Sequence, residues 1–325
     1  MDISQLGEFG LIERLAQLLG PGPSRLLVGI GDDAAVWEMD GQFLLLTTDT
    51  LMEEVHFLPH LHPWPDVGWK ALAVNVSDIM AMGGVPEVAL VSLALPPHAD
   101  IAHVEAMYEG LRQCAATYDV AVAGGDVVRG ERTSVSVAIV GRALLREGRP
   151  SLLRRDGAKP GHVVAVSGPL GDSAGGLRLL MAGIYPDHPL AQAHLRPRPP
   201  LSLGQAAAQR GIPCAIDVSD GLLQDLAQIC RQSKVSITVW AHHIPISPHL
   251  REAFPQDALM LACTGGEDYS LVLIGPEEEL AGLKGVASQL TIIGQVAEGE
   301  GVRLLDQEGR DITPPILGWD HLRPP

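Results

Sequence analysis

The stretch Gly29-Ile30-Gly31-Asp32-Asp33-Ala34-Ala35-Val36 (GIGDDAAV) places two adjacent carboxylates directly after a short apolar run. Neighbouring carboxylates repel each other, so folding alone gives no reason for the pair. A hard divalent cation gives one, because it binds carboxylate oxygens, and the glycines let the backbone approach a ligand closely. A solvated Gly-Asp turn explains a single stretch of this kind better, so the rest of the chain has to decide between the two interpretations.

The same combination of an apolar segment followed by small residues and an acid recurs along the chain. Predicted strands at 43–48, 120–123 and 214–218 run into or carry such acids, and another Gly-Gly-acid turn precedes a strand at 269–274. The acids at these turns are Asp49, Asp126, Asp217, Asp220, Glu267 and Asp268. Any one of them is explained as a turn residue or a helix cap. As a set, attached to glycines and hydroxyls, they predict a site for several Mg²⁺ ions.

One predicted helix, 67–82, also carries polar residues that its apolar pattern does not require. Asn75 and Asp78 are three residues apart and therefore share a face. Because a buried carboxylate without a partner is costly, this face indicates either function or an exposed polar stripe that Lys70 extends. We favour the functional interpretation, since so little else in this helix is polar.

Length and composition limit the possible classes of protein. A chain of 325 residues predicts two domains, and the Arg-, Gly- and Pro-rich segment 146–161 places their boundary between 1–148 and 149–325. The net charge of −16 argues against nonspecific binding to nucleic acid or acidic membranes. Dispersed cysteines, no signal-like start and no bilayer-length apolar run lead us to expect a cytoplasmic protein.

Three further features leave alternatives open. Arg155 lies in a basic run that is either a linker or a phosphate clamp. The pattern Gly168-x-x-Gly171 before a predicted helix is a weak phosphate-site signal. The spacing of His56, His60 and His62 is weak evidence for zinc, and we expect solvated loop histidines instead.

A nucleotide enzyme fits the acidic turns, although the usual signatures are absent. The sequence contains no GxxxxGK[ST] motif, no GxGxxG motif and no protein-kinase signature. Catalysis is then expected to depend on metal ions and positioning rather than on a P-loop lysine.

Eight motifs, in this order, resemble the thiamine-monophosphate kinase family across nearly the whole chain. They are GIGDDAAV (29–36), TTDTLMEEVHF (47–57), KALAVNVSDIMAMG (70–83), GGDVVRG (124–130), RDGAKPG (155–161), AIDVSDGL (215–222), GGEDY (265–269) and GWDH (318–321). The resemblance implies an α/β (α+β), two-domain, aminoimidazole ribonucleotide synthetase-like fold whose N-terminal sheets form a homodimer. It also implies Mg²⁺-assisted in-line transfer from ATP to thiamine phosphate, the last step of thiamine diphosphate biosynthesis.

The resemblance also implies roles for individual residues. The Mg²⁺ ligands are Asp33, Thr47, Thr48, Asp49, Asp78, Asp126, Asp217 and Asp220, with Asp32 adjacent; Asp49, Asp126 and Asp220 are the catalytic ones. The ATP contacts are Tyr108, Gly125, Asp126, Arg155 and Ser219. The thiamine phosphate contacts are His56, Glu267 and Trp319. Without the resemblance, Trp319 is explained as a residue that pins the tail to the core. The attacking phosphate oxygen is already anionic, so no strong general base is needed, and metal ions offset repulsion between the substrates.

Related activities and a non-catalytic role were weighed against this interpretation. Selenophosphate synthetase needs a reactive cysteine near the N-terminus, whereas the first cysteine here is Cys114. The hydrogenase maturation factor is expected to end in cysteine, and this chain ends in Pro324-Pro325. An acidic metal- or nucleotide-binding regulator is disfavoured by the intact set of acids. Ser270 and Leu322 depart from the family pattern, and Leu322 bears on how the C-terminal segment closes over substrate.

Overall fold

Two six-stranded sheets organise residues 3–184, 187–286 and 289–322, the part of the chain that the computed structural model describes. The strands of the first sheet are β1 Leu26–Val28, β2 Ala35–Met39, β3 Gln42–Met52, β4 Val85–Leu95, β5 Ala121–Arg129 and β6 Ser134–Arg142. Their order is β1-β2-β3-β6-β4-β5, and only the β4–β5 pair among them is parallel. The helices of this half are α1 Ile3–Leu19, α2 Trp64–Ala81 and α3 Ile101–Tyr118.

A short hairpin leads into the second sheet. The hairpin strands are β7 Leu144–Arg146 and β8 Arg149–Ser151. The second sheet contains β9 Val163–Val166, β10 Cys214–Asp217, β11 Ser236–Trp240, β12 Leu271–Gly275, β13 Thr291–Ala297 and β14 Gly301–Leu305, in the order β10-β12-β9-β13-β11-β14. Its helices are α4 Asp172–Met181, α5 Pro189–Leu195, α6 Leu201–Arg210, α7 Leu222–Ser233, a 3-10 turn at Ala241–His243, α8 Pro248–Ala253, α9 Ala258–Thr264 and α10 Glu277–Ala281.

Helix α2 lies between the two halves and packs against both. One face covers the first sheet through residues such as Leu72 and Ile79, which are fully buried. Met80 and Ala81 belong to a core cluster built mainly from the second half. Because α2 is buried on nearly every side, its polar residues face protein or a cavity rather than bulk water. The alternative of an exposed polar stripe is therefore excluded, because Lys70 is 2% exposed and Asn75 is fully buried.

Alternation along the strands of the first sheet separates a core face from an open face. In β6, Val135, Val137 and Ile139 are buried against the helices, as the alternating sequence predicts. The opposite face carries exposed apolar side chains at Leu46, Met52, Leu90 and Val128, each between 38% and 52% exposed. We call this surface the open face. An exposed apolar sheet surface of this kind is typical of an interaction site.

Two acids predicted to follow strands lie inside longer strands. Strand β3 continues to Met52, so Asp49 is a mid-strand residue. Strand β5 continues through Gly124-Gly125-Asp126 to Arg129 and forms an exposed edge. The sequence ended these strands too early because glycine and aspartate are poor strand formers, whereas pairing to β6 and to β4 keeps both segments extended. Asp217, by contrast, ends β10, one residue before the predicted end of this strand at Val218.

Residues 187–200 are rich in proline and histidine, a composition typical of a connector, yet they contain helix α5. Helix α5 begins after His188, whose Nδ1 accepts the Leu190 N–H at 3.2 Å. Pro189 occupies the first helical position, where its missing N–H has no cost. Among the described residues, no helix is long and apolar enough to cross a membrane.

Candidate active site

A cavity of about 570 Å³ opens between the two halves of the molecule, beside α2. Thirteen residues singled out by the sequence line it: Asp32, Asp33, Thr47, Thr48, Asp49, His56, Asp78, Arg155, Asp217, Ser219, Asp220, Glu267 and Trp319. The fold therefore brings together acids that are as far apart as 32 and 267 in the sequence. Tyr108, Gly125 and Asp126 are not among the lining residues.

Three carboxylates from separate elements converge at one end of this cavity. Asp33 follows β1, Asp78 projects from α2, and Asp217 ends β10; one oxygen of each lies within 4.8 Å of the others. The Thr47 hydroxyl donates to Asp78 Oδ2 at 2.5 Å, and the Ser77 hydroxyl donates to Asp217 Oδ2 at 2.6 Å. Each hydroxyl leaves its carboxylate a second oxygen. Such an all-oxygen set fits a hard divalent cation.

The acids of this cluster have too few cationic groups nearby to balance their negative charges. Burial raises the pKa of Asp217 to about 7, and the charges on Asp33 and Asp49 add to the effect. Burial also raises the pKa of Asp78 well above its usual value, with Asp49, Asp217 and Asp33 contributing. The pKa of Asp49 rises to about 6 for the same reasons, burial first and Asp33 second. A bound cation would reverse these shifts by stabilising the ionised forms.

Arg155 is the cation that the chain itself supplies to this end. Its Nη2 lies 2.5 Å from Asp33 Oδ1, and its backbone N–H donates to Asp32 Oδ1 at 3.3 Å. Burial lowers the pKa of Arg155, but the carboxylates Asp33 and Asp32 outweigh burial and raise it. Burial and Asp33 together raise the pKa of Asp32 to about 7. One guanidinium thus faces several acids, which leaves the cluster anionic when the acids are ionised.

Strand β3 presents its polar residues to two different surfaces. Thr47 and Asp49 face α2, and the Asp49 N–H donates to Asn75 Oδ1 at 3.1 Å. Asn75 is fully buried, and its amide donates to Ala71 O at 3.0 Å, so it fixes the strand against the helix. The hydroxyl of Thr48 donates instead to Val137 O at 3.0 Å. Alternation along the strand directs the Thr48 hydroxyl away from the acid cluster.

The loop that carries Ser219 and Asp220 is held by an acid that the sequence analysis did not select. One oxygen of Asp225 accepts the N–H groups of Ser219, Asp220 and Gly221 at 3.1, 3.3 and 3.2 Å. Helix α7 begins after Gly221 without a side-chain cap, so neither Ser219 nor Asp220 serves as one. Their side chains remain available to the cavity. An acid in the first turn of a helix was the available sequence signal for Asp225.

The three residues predicted to contact thiamine phosphate line the same cavity. The backbone N–H of Trp319 donates to Asp220 O at 2.9 Å, which pins the tail, while 48% of the residue stays exposed. His56 accepts the Met52 N–H at its Nδ1 and lies 5.1 Å from the ring of His321. Glu267 Oε1 lies 2.6 Å from Lys70 Nζ. Trp319 can therefore pin the tail through its backbone and still present its indole to the cavity.

Gly125 and Asp126 occupy the edge strand of the first sheet. Asp126 pairs with Ser92, Ser92 with Ser136, and Ser136 with Thr50. Three strand spacings put Asp126 ~14 Å from Thr50, on the open face. Within one copy of the chain, Asp126 is therefore separated from the acid cluster. Tyr108, on α3, packs against the core of the first half.

Two weaker sequence expectations are settled by contacts. The N-terminus of α4 already holds a carboxylate, because Asp268 accepts the N–H groups of Gly171 and Ser173 at 2.6 and 3.1 Å. A phosphate therefore has no place at the Gly168-x-x-Gly171 turn. His60 is exposed, as expected of a solvated loop histidine, but His62 is 3% exposed and contacts His194. The expectation of a solvated His62 is wrong.

Comparison with known proteins assigns both halves to one family. Residues 31–143 match the model of the AIR synthase related protein, N-terminal domain, and residues 159–307 match that of its C-terminal domain. Thiamine-monophosphate kinase of Aquifex aeolicus is 38% identical over 99% of this chain and 100% of its own length. Thiamine-monophosphate kinase of Bacillus subtilis is 38% identical over 91% of this chain and 94% of its own.

Solved structures agree with the sequence comparison. The structure described as AaThiL complexed with AMPPCP and TMP superposes with a TM-score of 0.87 at 37% identity, covering 99% of both chains. The structure of thiamine monophosphate kinase from Stenotrophomonas maltophilia superposes with a TM-score of 0.75 at 39% identity, covering 91% of this chain and 96% of that one. The hydrogenase maturation protein HypE, at 19% identity and a TM-score of 0.70, shares the fold. The chain belongs to the thiamine-monophosphate kinase family of the AIR synthase related proteins.

Proposed function

We propose that this enzyme transfers the γ-phosphoryl group of ATP directly and in line to thiamine phosphate, giving ADP and thiamine diphosphate, with several Mg²⁺ ions in the site. The observation that carries the proposal is the convergence of Asp33, Asp78 and Asp217 in one buried, anionic cluster. The relatives named thiamine-monophosphate kinase support the substrates, as does the 37% identical structure with AMPPCP, an ATP analogue, and TMP.

The residues present fit Mg²⁺ by the chemistry of their donors. Asp33, Asp49, Asp78, Asp217 and Asp220 would hold the ions, since all five carboxylates line the cavity. Thr47 adds a hydroxyl oxygen that is already bound to Asp78, whereas the Thr48 hydroxyl is bound to Val137 O. When bound, Mg²⁺ offsets the repulsion between two phosphate anions and the charge that develops during transfer.

The chain's own residues would then bind and orient the two substrates. Arg155 supplies a guanidinium for ATP phosphates, and Ser219 supplies a hydroxyl on the loop that Asp225 fixes. His56, Glu267 and Trp319, which line the same cavity, would contact thiamine phosphate. The attacking phosphate oxygen carries negative charge at neutral pH, so no residue has to remove a proton. Catalysis rests on positioning and electrostatic stabilisation.

We also propose that two copies of the chain pair through the first sheet. The open face exposes Leu46, Met52, Leu90 and Val128, and the edge strand β5 has no neighbour beyond it in the described residues. A second copy would cover this surface and place Gly125 and Asp126 near the interface. The roles proposed for Gly125, Asp126 and Tyr108 in binding ATP and Mg²⁺ then depend on the assembly.

We further propose a domain boundary at the turn of the β7–β8 hairpin, between 1–148 and 149–325.

Two experiments test these proposals. Incubation with ATP, Mg²⁺ and thiamine phosphate should yield thiamine diphosphate and ADP in equal amounts, and excess EDTA should stop the reaction. Full turnover in EDTA, or a phosphorylated protein intermediate, would refute metal-assisted direct transfer. Light scattering at micromolar concentration should give the mass of a dimer, and a monomer would contradict the pairing of sheets.

A further inference from the structure

A buried lysine that the proposed transfer does not use lies behind the substrate end of the cavity. Lys70 on α2 is 2% exposed, and its Nζ lies 2.6 Å from Glu267 Oε1. An ammonium group removed from water requires an anionic partner at close range. Among the described residues, Glu267 is the one acid within ion-pair distance of Lys70. The pair therefore fixes one oxygen of the Glu267 carboxylate from the protein side.

The backbone of Glu267 is also held in an unusual conformation. Its φ angle is 65°, in the left-handed region that favours glycine. The Glu267 N–H donates to Ser219 O at 2.8 Å, and the Tyr269 N–H donates to Val218 O at 2.9 Å, so neighbouring bonds impose this conformation. Strained backbone that its surroundings hold in place is typical of functional sites. The strain directs one specific carboxylate into the cavity.

A second contact engages the other oxygen of Glu267 through a pair of histidines. His194 Nδ1 lies 3.3 Å from Glu267 Oε2 and 3.0 Å from the Ser173 hydroxyl. His194 Nε2 lies 3.0 Å from His62 Nε2. Burial lowers the pKa of His194 to about 3 and that of His62 to about 4, with Lys70 adding to both effects. Both rings are therefore neutral at neutral pH, and each carries a single N–H.

The ionised state of Glu267 sets the direction of this chain of hydrogen bonds. Burial raises the pKa of Glu267, but Lys70 and His194 outweigh burial and lower it to about 2. Because a carboxylate only accepts, a proton on His194 Nδ1 suits a position that faces both Glu267 Oε2 and the Ser173 hydroxyl, and His194 Nε2 then accepts from His62 Nε2. His62 Nδ1 then accepts the Leu58 N–H at 3.1 Å. In the reverse tautomers, His62 Nδ1 would donate to Leu58 O, and His194 Nδ1 would be unprotonated beside the Glu267 carboxylate.

We propose that Lys70, His194 and His62 are positioning residues that fix the Glu267 carboxylate for binding of the thiamine moiety. The inference rests on the proposed function, because it takes Glu267 as a thiamine phosphate contact. Lys70 Nζ lies 2.6 Å from Oε1 and His194 Nδ1 lies 3.3 Å from Oε2, so each carboxylate oxygen has a neighbour on the protein side that favours one orientation. His62 belongs to the same loop as His56, so the chain also links Glu267 to the loop that carries the other proposed contact.

The first test compares Lys70→Met with Lys159→Met, because Lys159 is exposed and lies outside the proposed machinery. Loss of a charge-assisted contact should raise KM for thiamine phosphate about tenfold to a hundredfold in Lys70→Met. KM for ATP and kcat should stay within about twofold of the parent. Lys159→Met should leave all three constants unchanged. An equal rise in both KM values, or a fall in kcat alone, would refute a positioning role at this end.

A double-variant cycle asks whether Lys70 acts through Glu267. In a Glu267→Gln background, Lys70→Met should add less than about a twofold further change in KM for thiamine phosphate. The double variant removes both buried charges, so it remains testable where Lys70→Met alone fails to fold. Additive effects would refute the inference. If Glu267→Gln itself leaves KM for thiamine phosphate unchanged, the proposed substrate contact is wrong, which is a separate failure.

Two replacements of His194 separate its contact with Glu267 from its bulk. The amide nitrogen of Asn can take the position of the imidazole Nδ1, so His194→Asn should retain KM for thiamine phosphate within about threefold. His194→Leu removes the donor and should raise this KM about tenfold. Equal KM values for the two variants, with equal melting temperatures, would show that His194 only fills space.

Discussion

Two groups of buried carboxylates in the cavity have opposite surroundings: we call the surroundings of Asp78 and Asp217 the crowded end and those of Glu267 the paired end. At one end, Asp78 and Asp217 lie beside other acids, and burial raises their pKa values. At the other end, Glu267 has Lys70 and His194 as partners, and its pKa falls to about 2. A fold gains nothing by crowding unpaired acids. The difference supports the proposal that the first group takes up cations from solution, whereas Glu267 already has a cationic partner in Lys70.

The largest expected effect comes from removing one acid at the crowded end. Asp78→Asn or Asp217→Asn should lower kcat by a hundredfold or more, because charge stabilisation in the transition state is lost (about 10²–10³ per group). Without metal, the melting temperature should stay equal or rise, because repulsion among neighbouring acids is reduced. Steady-state kinetics and thermal melting in EDTA measure the two quantities.

Asp40→Asn is the matched control for these variants. Asp40 is exposed and has a φ angle of 52°, a conformation that Asn tolerates. Both its kcat and its melting temperature should match the parent. If Asp217→Asn instead melts far below the parent in EDTA while turnover per folded molecule is retained, the crowded acids are structural.

A smaller effect is expected from Trp319→Ala. The indole is 48% exposed at the cavity and donates from Nε1 to His321 Nδ1 at 3.1 Å. Contact with a cationic thiazolium is worth about 0.5–2 kcal/mol, so KM for thiamine phosphate should rise about two- to thirty-fold, with little change for ATP. An equal rise in the KM values for both substrates, or a large fall in melting temperature with unchanged kinetics, would limit Trp319 to pinning the tail.

The smallest effect is a pH-dependent change in thermal stability. Asp217 and Asp32 have folded pKa values of about 7, raised above the unfolded value, so the stability they contribute is present below pH 4 and lost as the pH rises toward 7. The proposed Mg²⁺ ions would bind the ionised acids, so the stabilising effect of added Mg²⁺ should grow over the same range. We expect the Mg²⁺-induced rise in melting temperature to be larger at pH 8 than at pH 5. A shift independent of pH would contradict the account of the crowded end.

The sequence predicted the crowded end better than the paired end, for a physical reason. Adjacent or repeated acids such as Asp32-Asp33 are visible as a pattern that folding does not explain. Lys70 gave no such signal, because its ion pair with Glu267 depends on a contact across nearly two hundred residues. His62 looked like a solvated loop residue for the same reason, since its partner is His194, in a helix that the prolines concealed.

Secondary structure followed the same division between local and distant causes. The bounds of α3, α6 and α7 agree with the sequence pattern, because apolar spacing and end signals such as Asp100 before α3 are local. Strands β3 and β5 extend beyond their predicted ends because pairing to other strands keeps weak strand formers extended. The position of Asp126 on an exposed edge likewise could not be read from Gly124-Gly125-Asp126 alone.

Crystals grown with Mn²⁺ in place of Mg²⁺ and a non-hydrolysable ATP analogue test the central claim most directly. Anomalous scattering locates the metal without reference to activity. The account predicts at least one peak at about 2.0–2.6 Å from carboxylate oxygens of Asp33, Asp78 or Asp217, and none beside Glu267. Peaks confined to other parts of the molecule, with these three carboxylates free of metal while the nucleotide is bound, would contradict it.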